Sequence, residues 1–252
     1  MWSCTLELWE IIVKVQPISH FGSQPAVSDA LFPTLFPQTV VLKYRRIPGD
    51  PGDLHPVEAE HVAKAVPKRV AEFAAGRACA RAALAEFGVR AVTLPAAPDR
   101  QPLWPDGFIG SITHTAGFCA AAVARRSNIL AIGLDTEIAG APTEDIWPVI
   151  SRGEELAWIR SLPGGDRYAA ITLLFAAKEA FYKCQYPLVG EWLDFHDLAV
   201  QVREWGEPAG SFAVTAARSI AFAGRVALPI VGRYLHHEHF VSAAVAVPVP
   251  VG

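Results

Sequence analysis

The strongest limit on how this chain folds comes from residues 130–138, where side-chain character alternates from one residue to the next. Alternation is typical of a β-strand, in which residues two positions apart point to the same side. Asp135 and Glu137 therefore share one face of the predicted strand, with Cα atoms about 6.6 Å apart. The opposite face is mostly apolar and carries four side chains: Ile132, Leu134, Thr136 and Ile138. The segment predicts a strand that packs on one side and presents two carboxylates on the other.

The pair formed by Asp135 and Glu137 has two explanations. Carboxylates at this separation repel each other unless a cation lies between them, and oxygen ligands suit Mg²⁺ completed by phosphate. The pattern is short, however, and a half-exposed edge strand with two solvated acids explains it at least as readily. Gly133 precedes the pair and favours a functional site, because it permits close approach of a second backbone or a ligand.

A second charged segment, residues 175–183, has a helical pattern. Glu179 and Lys183 are four residues apart and share one face, whereas Lys178 lies about 100° round the helix. An ordinary surface ion pair is one interpretation of this spacing. In the functional interpretation, Glu179 is a third cation ligand or a general base. Lys183 then contacts a leaving phosphate, and Lys178 helps to bind a diphosphate.

Composition excludes several classes of protein. The chain has 252 residues, 52% of them apolar and 19% charged, which fits a folded protein of one large or two small domains. The net charge of −3 gives no indication of a nucleic-acid partner. No apolar run reaches the roughly 20 residues needed to span a membrane. Four cysteines without CxxC spacing predict neither a zinc site nor a redox pair, and indicate a reducing cytoplasm: Cys4, Cys79, Cys119 and Cys184.

The order of predicted elements indicates an α+β fold. Helical patterns cover residues 56–87, 153–162 and 169–185. Strand-like runs cover residues 108–113, 118–124, 130–138, 198–202, 211–216, 226–234 and 240–247. We expect a boundary near Arg125–Asn128, which divides the chain into an N-terminal arm at 1–22, an N-terminal half at 23–126 and a C-terminal half at 127–252.

These segments together resemble the 4′-phosphopantetheinyl transferase family, specifically its enterobactin-synthase-component type. The family carries a G-[IL]-D-x-E motif and, tens of residues later, a [WF]-x-x-K-E-[AS]-x-x-K motif. Both occur here, at 133–137 and 175–183. The resemblance continues through residues 67–81, 99–105 and 110–115, so that five ordered motifs support it rather than one.

The resemblance implies a fold and an activity. The fold is an α/β sandwich-like pseudo-dimer of two similar halves in one chain, with coenzyme A in the cleft between them. The activity is Mg²⁺-dependent transfer of the phosphopantetheine arm of coenzyme A to a serine of an apo acyl or peptidyl carrier protein, with release of adenosine 3′,5′-bisphosphate. We expect a monomer that serves siderophore, nonribosomal-peptide or polyketide synthesis.

The resemblance also assigns residues. Three acids match the metal ligands of the family: Asp135, Glu137 and Glu179. Three basic residues match positions around the 3′-phosphate and the diphosphate: Arg69, Arg77 and Arg100. Lys183 matches the lysine that contacts the phosphates, and Lys178 is its motif neighbour. His114 matches a phosphate-binding histidine, and Thr113 replaces the serine that many relatives have before it while keeping the hydroxyl.

Some points stay open in the sequence. The base that deprotonates the carrier serine is either Glu179 or a water bound to the metal. Arg77 lies on the apolar stripe of its helix, so it needs a buried anion or, alternatively, an ion pair such as one with Glu72. The run His236–His239 is expected to form a hairpin turn rather than a metal site.

Three other functions also remain possible: a coenzyme A-binding regulatory protein without catalysis, a metal-dependent phosphohydrolase, and a module that only docks a carrier protein.

Overall fold

The computed structural model of the chain describes residue 32, residues 34–46 and residues 49–250. The predicted arm at residues 1–22 lies outside the described residues. The strands are β1 (Val40–Arg45), β2 (Phe108–Thr115), β3 (Phe118–Arg125), β4 (Ile129–Ile138), β5 (Leu198–Arg203), β6 (Ala209–Ala216), β7 (Ile230–His237) and β8 (Phe240–Pro248). The helices are α1 (Pro56–Glu60), α2 (Pro67–Glu86), α3 (Trp147–Ile150), α4 (Gly153–Ser161) and α5 (Gly164–Val189).

The strands form two antiparallel sheets, of order β1-β3-β2 and β4-β8-β7-β6-β5. The inner faces of the sheets pack together through a core that includes Phe118 and Ile132. Leu84 of α2 packs on the outer face of the first sheet, and Phe181 of α5 packs on the outer face of the second. The layers are therefore helix, sheet, sheet and helix, which confirms the α+β class and the arrangement as two α/β halves.

The helix predicted for 56–87 is interrupted, and its continuity was a wrong prediction. α1 ends at Glu60, and α2 begins at Pro67. Proline lacks an N–H group and clashes with the preceding turn, so it begins a helix well and continues one badly. Gly88 follows the end of α2 with a φ of +82°, the left-handed conformation that glycine adopts most easily.

The N-terminal sheet differs from prediction at its ends. β2 continues to Thr115, so His114 lies inside the strand rather than after it. β1 and α3 were not predicted, and both are short. β3 ends at Arg125 and β4 begins at Ile129, while the division after residue 126 stays a prediction. No helix among the described residues is both long enough and apolar enough to cross a membrane.

The run His236–His239 was predicted to form a hairpin turn, but only Glu238 and His239 form it, because β7 continues through His236 and His237. The His236 ring packs edge-on against Trp205, whereas the His237 ring contacts Phe118 in the core. Alternation along β7 thus sends the two imidazoles to opposite faces of the strand, where they cannot share one metal ion.

Candidate active site

Helix α5 crosses β4 in direct backbone contact at Gly133. A methyl group at this position would lie 1.8 Å from the carbonyl oxygen of Ala180 and 2.8 Å from the backbone nitrogen of Cys184. The close approach predicted for Gly133 is confirmed, and the partner is the backbone of α5. Because Glu179 and Lys183 flank this contact on α5, the crossing brings them to the acidic end of β4.

Asp135 and Glu137 are both buried, each with 3% of its surface exposed. A solvated acidic pair on a half-exposed edge strand is therefore excluded. The Lys183 ammonium donates to Asp135 Oδ1 over 2.5 Å and to the Leu134 carbonyl oxygen over 3.3 Å. Lys183 thus supplies positive charge directly to the acidic pair.

The acids share more negative charge than one lysine offsets. Burial, followed by the charge of Asp135, raises the pKa of Glu137 well above its ordinary value. The same two causes raise the pKa of Glu179 to about 7. Burial acts to lower the pKa of Lys183, but the surrounding carboxylates outweigh it and the net shift is upward. The site therefore retains protons near neutral pH that a bound cation would displace.

The donor atoms of this cluster fit a hard cation such as Mg²⁺. Among the residues that the structure describes, no group of three His, Cys, Asp or Glu side chains is arranged to hold a metal ion by itself. Asp135 Oδ2, however, is buried and has no hydrogen-bond partner in the part of the chain that the structure describes. Mg²⁺ in proteins is usually held by one or two carboxylates together with substrate phosphates and waters. The acids can therefore form part of a magnesium site that phosphate oxygens complete.

A basic cluster lies within electrostatic range of Lys183. Arg69 Nη1 contacts His114 Nε2, and both side chains approach Glu72, with the nearest nitrogen and oxygen atoms 3.7 and 3.9 Å apart. Burial, followed by the charges of Arg69 and Lys183, lowers the pKa of His114 to about 3, so the imidazole is neutral at pH 7. The charge of Arg100 acts on Arg69 as well. The structure thus brings together three of the predicted phosphate-binding residues and joins them to the acids through Lys183.

Arg77 is buried deeper in the same half, with 4% of its surface exposed. Its Nε donates to the Leu94 carbonyl oxygen over 2.6 Å, and the guanidinium lies 4.1 Å from the centre of the Phe73 ring. Its Nη2 has no hydrogen-bond partner. Burial lowers the pKa of Arg77 to about 10. A buried guanidinium with an unused donor matches the anion-binding interpretation better than the proposed ion pair, because Glu72 lies against Arg69.

The structure gives Lys178 a role different from the predicted contact with the diphosphate. Only 1% of its surface is exposed, and its ammonium donates to Glu155 Oε2 and to the carbonyl oxygens of Ile150 and Phe195 at 2.7, 2.8 and 3.0 Å. An ammonium has three donors, so all of them are used inside the fold. The predicted contact with the diphosphate is therefore replaced by a structural role. Glu155 was missed because no local pattern connects it to a lysine 23 residues later.

Thr113 lies on the face of β2 opposite to His114. Its Oγ1 accepts from the Thr136 N–H group over 3.0 Å and lies 3.3 Å from Asp135 Oδ1. The hydroxyl for which a cofactor contact was predicted thus faces β4. The sequence does carry a signal for this arrangement that was not used, namely hydroxyl side chains at the alternate strand positions 111, 113 and 115.

Two family models match the chain, one in each half of the fold. A model described as the 4′-phosphopantetheinyl transferase N-terminal domain matches residues 57–124, and a model of the 4′-phosphopantetheinyl transferase superfamily matches residues 131–235. The chain is 39% identical to 4′-phosphopantetheinyl transferase Svp of Streptomyces mobaraensis over 213 residues, which is 81% of this chain and 83% of that protein.

Two further relatives extend the comparison. 4′-Phosphopantetheinyl transferase PptT of Mycobacterium tuberculosis is 38% identical over 172 residues, which is 66% of this chain and 75% of that protein. Enterobactin synthase component D of Salmonella typhi is 42% identical over 121 residues, which is 46% of this chain and 48% of that protein. The last comparison therefore covers about half of either protein.

Proposed function

Since the chain belongs to the 4′-phosphopantetheinyl transferase superfamily, we propose that its basic cluster binds the diphosphate of coenzyme A and that its acidic cluster would hold Mg²⁺. The enzyme transfers the 4′-phosphopantetheine moiety of coenzyme A to a carrier protein. The observation that carries the proposal is the position of Lys183, which is hydrogen-bonded to Asp135 and whose charge acts on His114. A diphosphate that contacts both clusters would lie beside this ammonium.

Asp135, Glu137 and Glu179 are the proposed metal-binding residues. The burial of Asp135 and Glu137, and above all the Asp135 Oδ2 that has no partner among the described residues, support this assignment. Bound Mg²⁺ would neutralise phosphate charge and polarise a phosphoryl oxygen. The protein contributes by holding the three carboxylates where water is largely excluded, which strengthens their attraction for a cation.

Four residues are proposed to bind the phosphates of coenzyme A: Arg69, Arg77, Arg100 and His114. Arginine suits this role because its planar fork of N–H groups matches phosphate oxygens. Arg77 can offer its unused Nη2. His114 is neutral and can therefore donate a single N–H group without adding charge.

The transfer requires the carrier serine to lose its proton and the negative charge of the leaving 5′-phosphate to be offset or protonated. The carrier serine oxygen bonds to the β-phosphorus, and the bond from this phosphorus to the bridging oxygen of the diphosphate breaks. Glu179 is the proposed acceptor of the serine proton, because it is a carboxylate that α5 holds beside the acidic end of β4. Lys183, which is protonated before the step, would stabilise the leaving 5′-phosphate of adenosine 3′,5′-bisphosphate by its charge or give it its proton. Most of the catalysis then comes from positioning and charge neutralisation.

We further propose a monomer that acts in the cytoplasm on carriers of siderophore, nonribosomal-peptide or polyketide synthesis. Each cluster is supplied by one chain, with acids from β4 and α5 and basic residues from α2 and β2. The cysteines among the described residues are free thiols, which is typical of a reducing compartment: Cys79, Cys119 and Cys184. The name of one relative, enterobactin synthase component D, supports a siderophore carrier.

The test is to incubate the protein with coenzyme A, Mg²⁺ and a panel of apo carrier proteins, and to weigh the carriers. We expect a gain of one phosphopantetheine on at least one carrier, lost with EDTA and with Asp135→Asn. Release of adenosine 3′,5′-bisphosphate without any acceptor would identify a phosphohydrolase instead. Tight binding of coenzyme A with no mass gain on any carrier would indicate a regulatory protein.

A further inference from the structure

Strand β4 lies at the edge of its sheet, and side-chain hydroxyl groups of β2 cover that edge. The Ser111 hydroxyl accepts a hydrogen bond from the Leu134 N–H group, and the Thr113 hydroxyl accepts one from the Thr136 N–H group, both over 3.0 Å. Ser111, Thr113 and Thr115 are 5%, 1% and 8% exposed. The two halves of the molecule are thus joined by side-chain-to-backbone hydrogen bonds.

Two of these hydroxyls also reach the acidic pair. Thr113 Oγ1 donates to Asp135 Oδ1 over 3.3 Å, and Thr115 Oγ1 donates to Glu137 Oε2 over 3.5 Å. A hydroxyl has one hydrogen and two lone pairs. Because the Thr136 N–H group can only donate, the hydrogen of Thr113 is left for the carboxylate. A single side chain of the N-terminal half therefore fixes both the strand and an acid of the C-terminal half.

The contacts of Asp135 are unequal at its two oxygens. Oδ1 receives hydrogen bonds from Lys183 and Thr113, whereas Oδ2 is buried without a partner. A carboxylate held through one oxygen cannot rotate freely, so its other oxygen keeps a fixed direction. Polar groups that orient a metal-binding carboxylate in this way affect metal affinity although they do not touch the ion.

We propose that Thr113 and Thr115 are positioning residues, which hold the carboxylates of Asp135 and Glu137 in the orientation that binds a divalent cation. This inference rests on the proposed function, because it takes the two acids to be cation ligands. It replaces the cofactor contact predicted for Thr113. His114, on the other face of β2, keeps the predicted contact with phosphate.

The experiment measures Mn²⁺ binding in the presence of coenzyme A, by electron paramagnetic resonance of free Mn²⁺, on the full chain. Thr113→Val keeps the shape of the side chain and removes the hydroxyl, and its affinity for Mn²⁺ should fall by about 10–100-fold. Thr113→Ser restores the hydroxyl and should restore most of the affinity. Ser111→Ala is the matched control, since this hydroxyl bonds only to the β4 backbone among the described contacts. It should lower the melting temperature while leaving Mn²⁺ affinity at the wild-type value.

Equal Mn²⁺ affinity in wild type and Thr113→Val would overturn the inference and leave Thr113 as a bond between the halves. Equal losses of Mn²⁺ affinity in Thr113→Val and Ser111→Ala would also overturn the inference. If Thr113→Val does not fold, Thr115→Val decides, since the Thr115 hydroxyl contacts Glu137 alone among the described residues, and this variant should also weaken Mn²⁺ binding. Failure of wild-type protein to bind Mn²⁺ with coenzyme A would reject the proposed metal site itself, a result distinct from these.

Discussion

Lys183 Nζ and Asp135 Oδ1 lie 2.5 Å apart, in an ion pair that joins the last third of α5 to the acidic end of β4. The Asp135 side chain is 5% exposed and that of Lys183 30%, so the pair is closed towards the core and open on the side of the lysine. A ligand can therefore approach the ammonium without disturbing the fold. The same ammonium influences the neutral imidazole of His114, which connects the two clusters electrostatically.

Gly133→Ala should disrupt the site through the backbone of α5. The added methyl group has no room 1.8 Å from the Ala180 carbonyl oxygen, and a backbone cannot rotate away as a flexible side chain can. We expect a loss of about 1–3 kcal/mol in the free energy of unfolding, as for other overpacked positions. Displacement of Glu179 and Lys183 should lower kcat by about 100-fold.

The matched control for Gly133→Ala is Gly165→Ala, in the first turn of the same helix. No heavy atom lies within 4 Å of a methyl group at Gly165. This variant should keep wild-type turnover and should not lose stability, since alanine favours a helix more than glycine does. Thermal melting and carrier modification measure the two. Wild-type melting temperature and kcat in Gly133→Ala would contradict the account of the crossing.

Lys178→Met should affect stability and not coenzyme A binding. Removing one partner of a buried ion pair typically costs about 3–5 kcal/mol, because it leaves the Glu155 carboxylate uncompensated. At about 2–4 °C per kcal/mol, the melting temperature should fall by roughly 10 °C. The dissociation constant of coenzyme A, measured well below that temperature, should stay at the wild-type value. A large rise in this constant with unchanged melting would restore the predicted phosphate contact.

Arg77→Lys should weaken coenzyme A binding while turnover at saturation changes little. Lysine keeps the charge but loses the fork of donors, including the Nη2 group that has no partner among the described residues. Hydrogen bonds to charged groups contribute about 1.5–3 kcal/mol, so the KM for coenzyme A should rise by about 10–100-fold.

Arg81→Lys serves as the comparison, because Arg81 lies one turn further along α2 and pairs with buried Glu58. It should lower the melting temperature and leave the KM for coenzyme A unchanged. If both arginine variants change only stability, Arg77 has no phosphate-binding role.

Stability without metal should depend on pH through Glu179. Burial and Asp135 raise the pKa of this acid from 4.5 to about 7, so between these values the folded protein holds a proton that the unfolded chain has released. The stabilisation is complete below pH 4.5 and is lost as the pH rises through about 7. The melting temperature of wild type relative to Glu179→Gln should therefore fall between pH 5 and pH 8, by roughly 5 °C. The same relative melting temperature at both pH values would contradict the shifted pKa.

The local geometry of the site could be predicted from the sequence where it depends on a single element. Strand alternation predicted that Asp135 and Glu137 share one face of β4, and helical spacing predicted that Glu179 and Lys183 share one face of α5. The surroundings of Lys178 could not be predicted, because Glu155 reaches it only through the packing of α4 on α5. The three- and four-residue steps that predicted a helix begin at Val70, inside α2, so they did not reveal the break between α1 and α2.

The contacts of the β2 hydroxyl groups could not be predicted from the sequence either, because they depend on the whole fold. Their alternate spacing was visible, but their partners on β4 follow from how the two sheets pack. Nothing in either strand alone specifies that Thr113 meets Asp135. The carboxylate network is thus a property of the joined halves, even though its charged members are recognisable in separate motifs.

Crystals grown with coenzyme A and Mn²⁺, with diffraction recorded at the manganese absorption edge, locate the cation itself. We expect one anomalous peak at bonding distance from oxygens of Asp135, Glu137 and Glu179 and from the diphosphate, with Lys183 Nζ within hydrogen-bond distance of a phosphate oxygen. A nucleotide bound without such a peak, or a peak away from these three carboxylates with Lys183 still paired to Asp135, would contradict it.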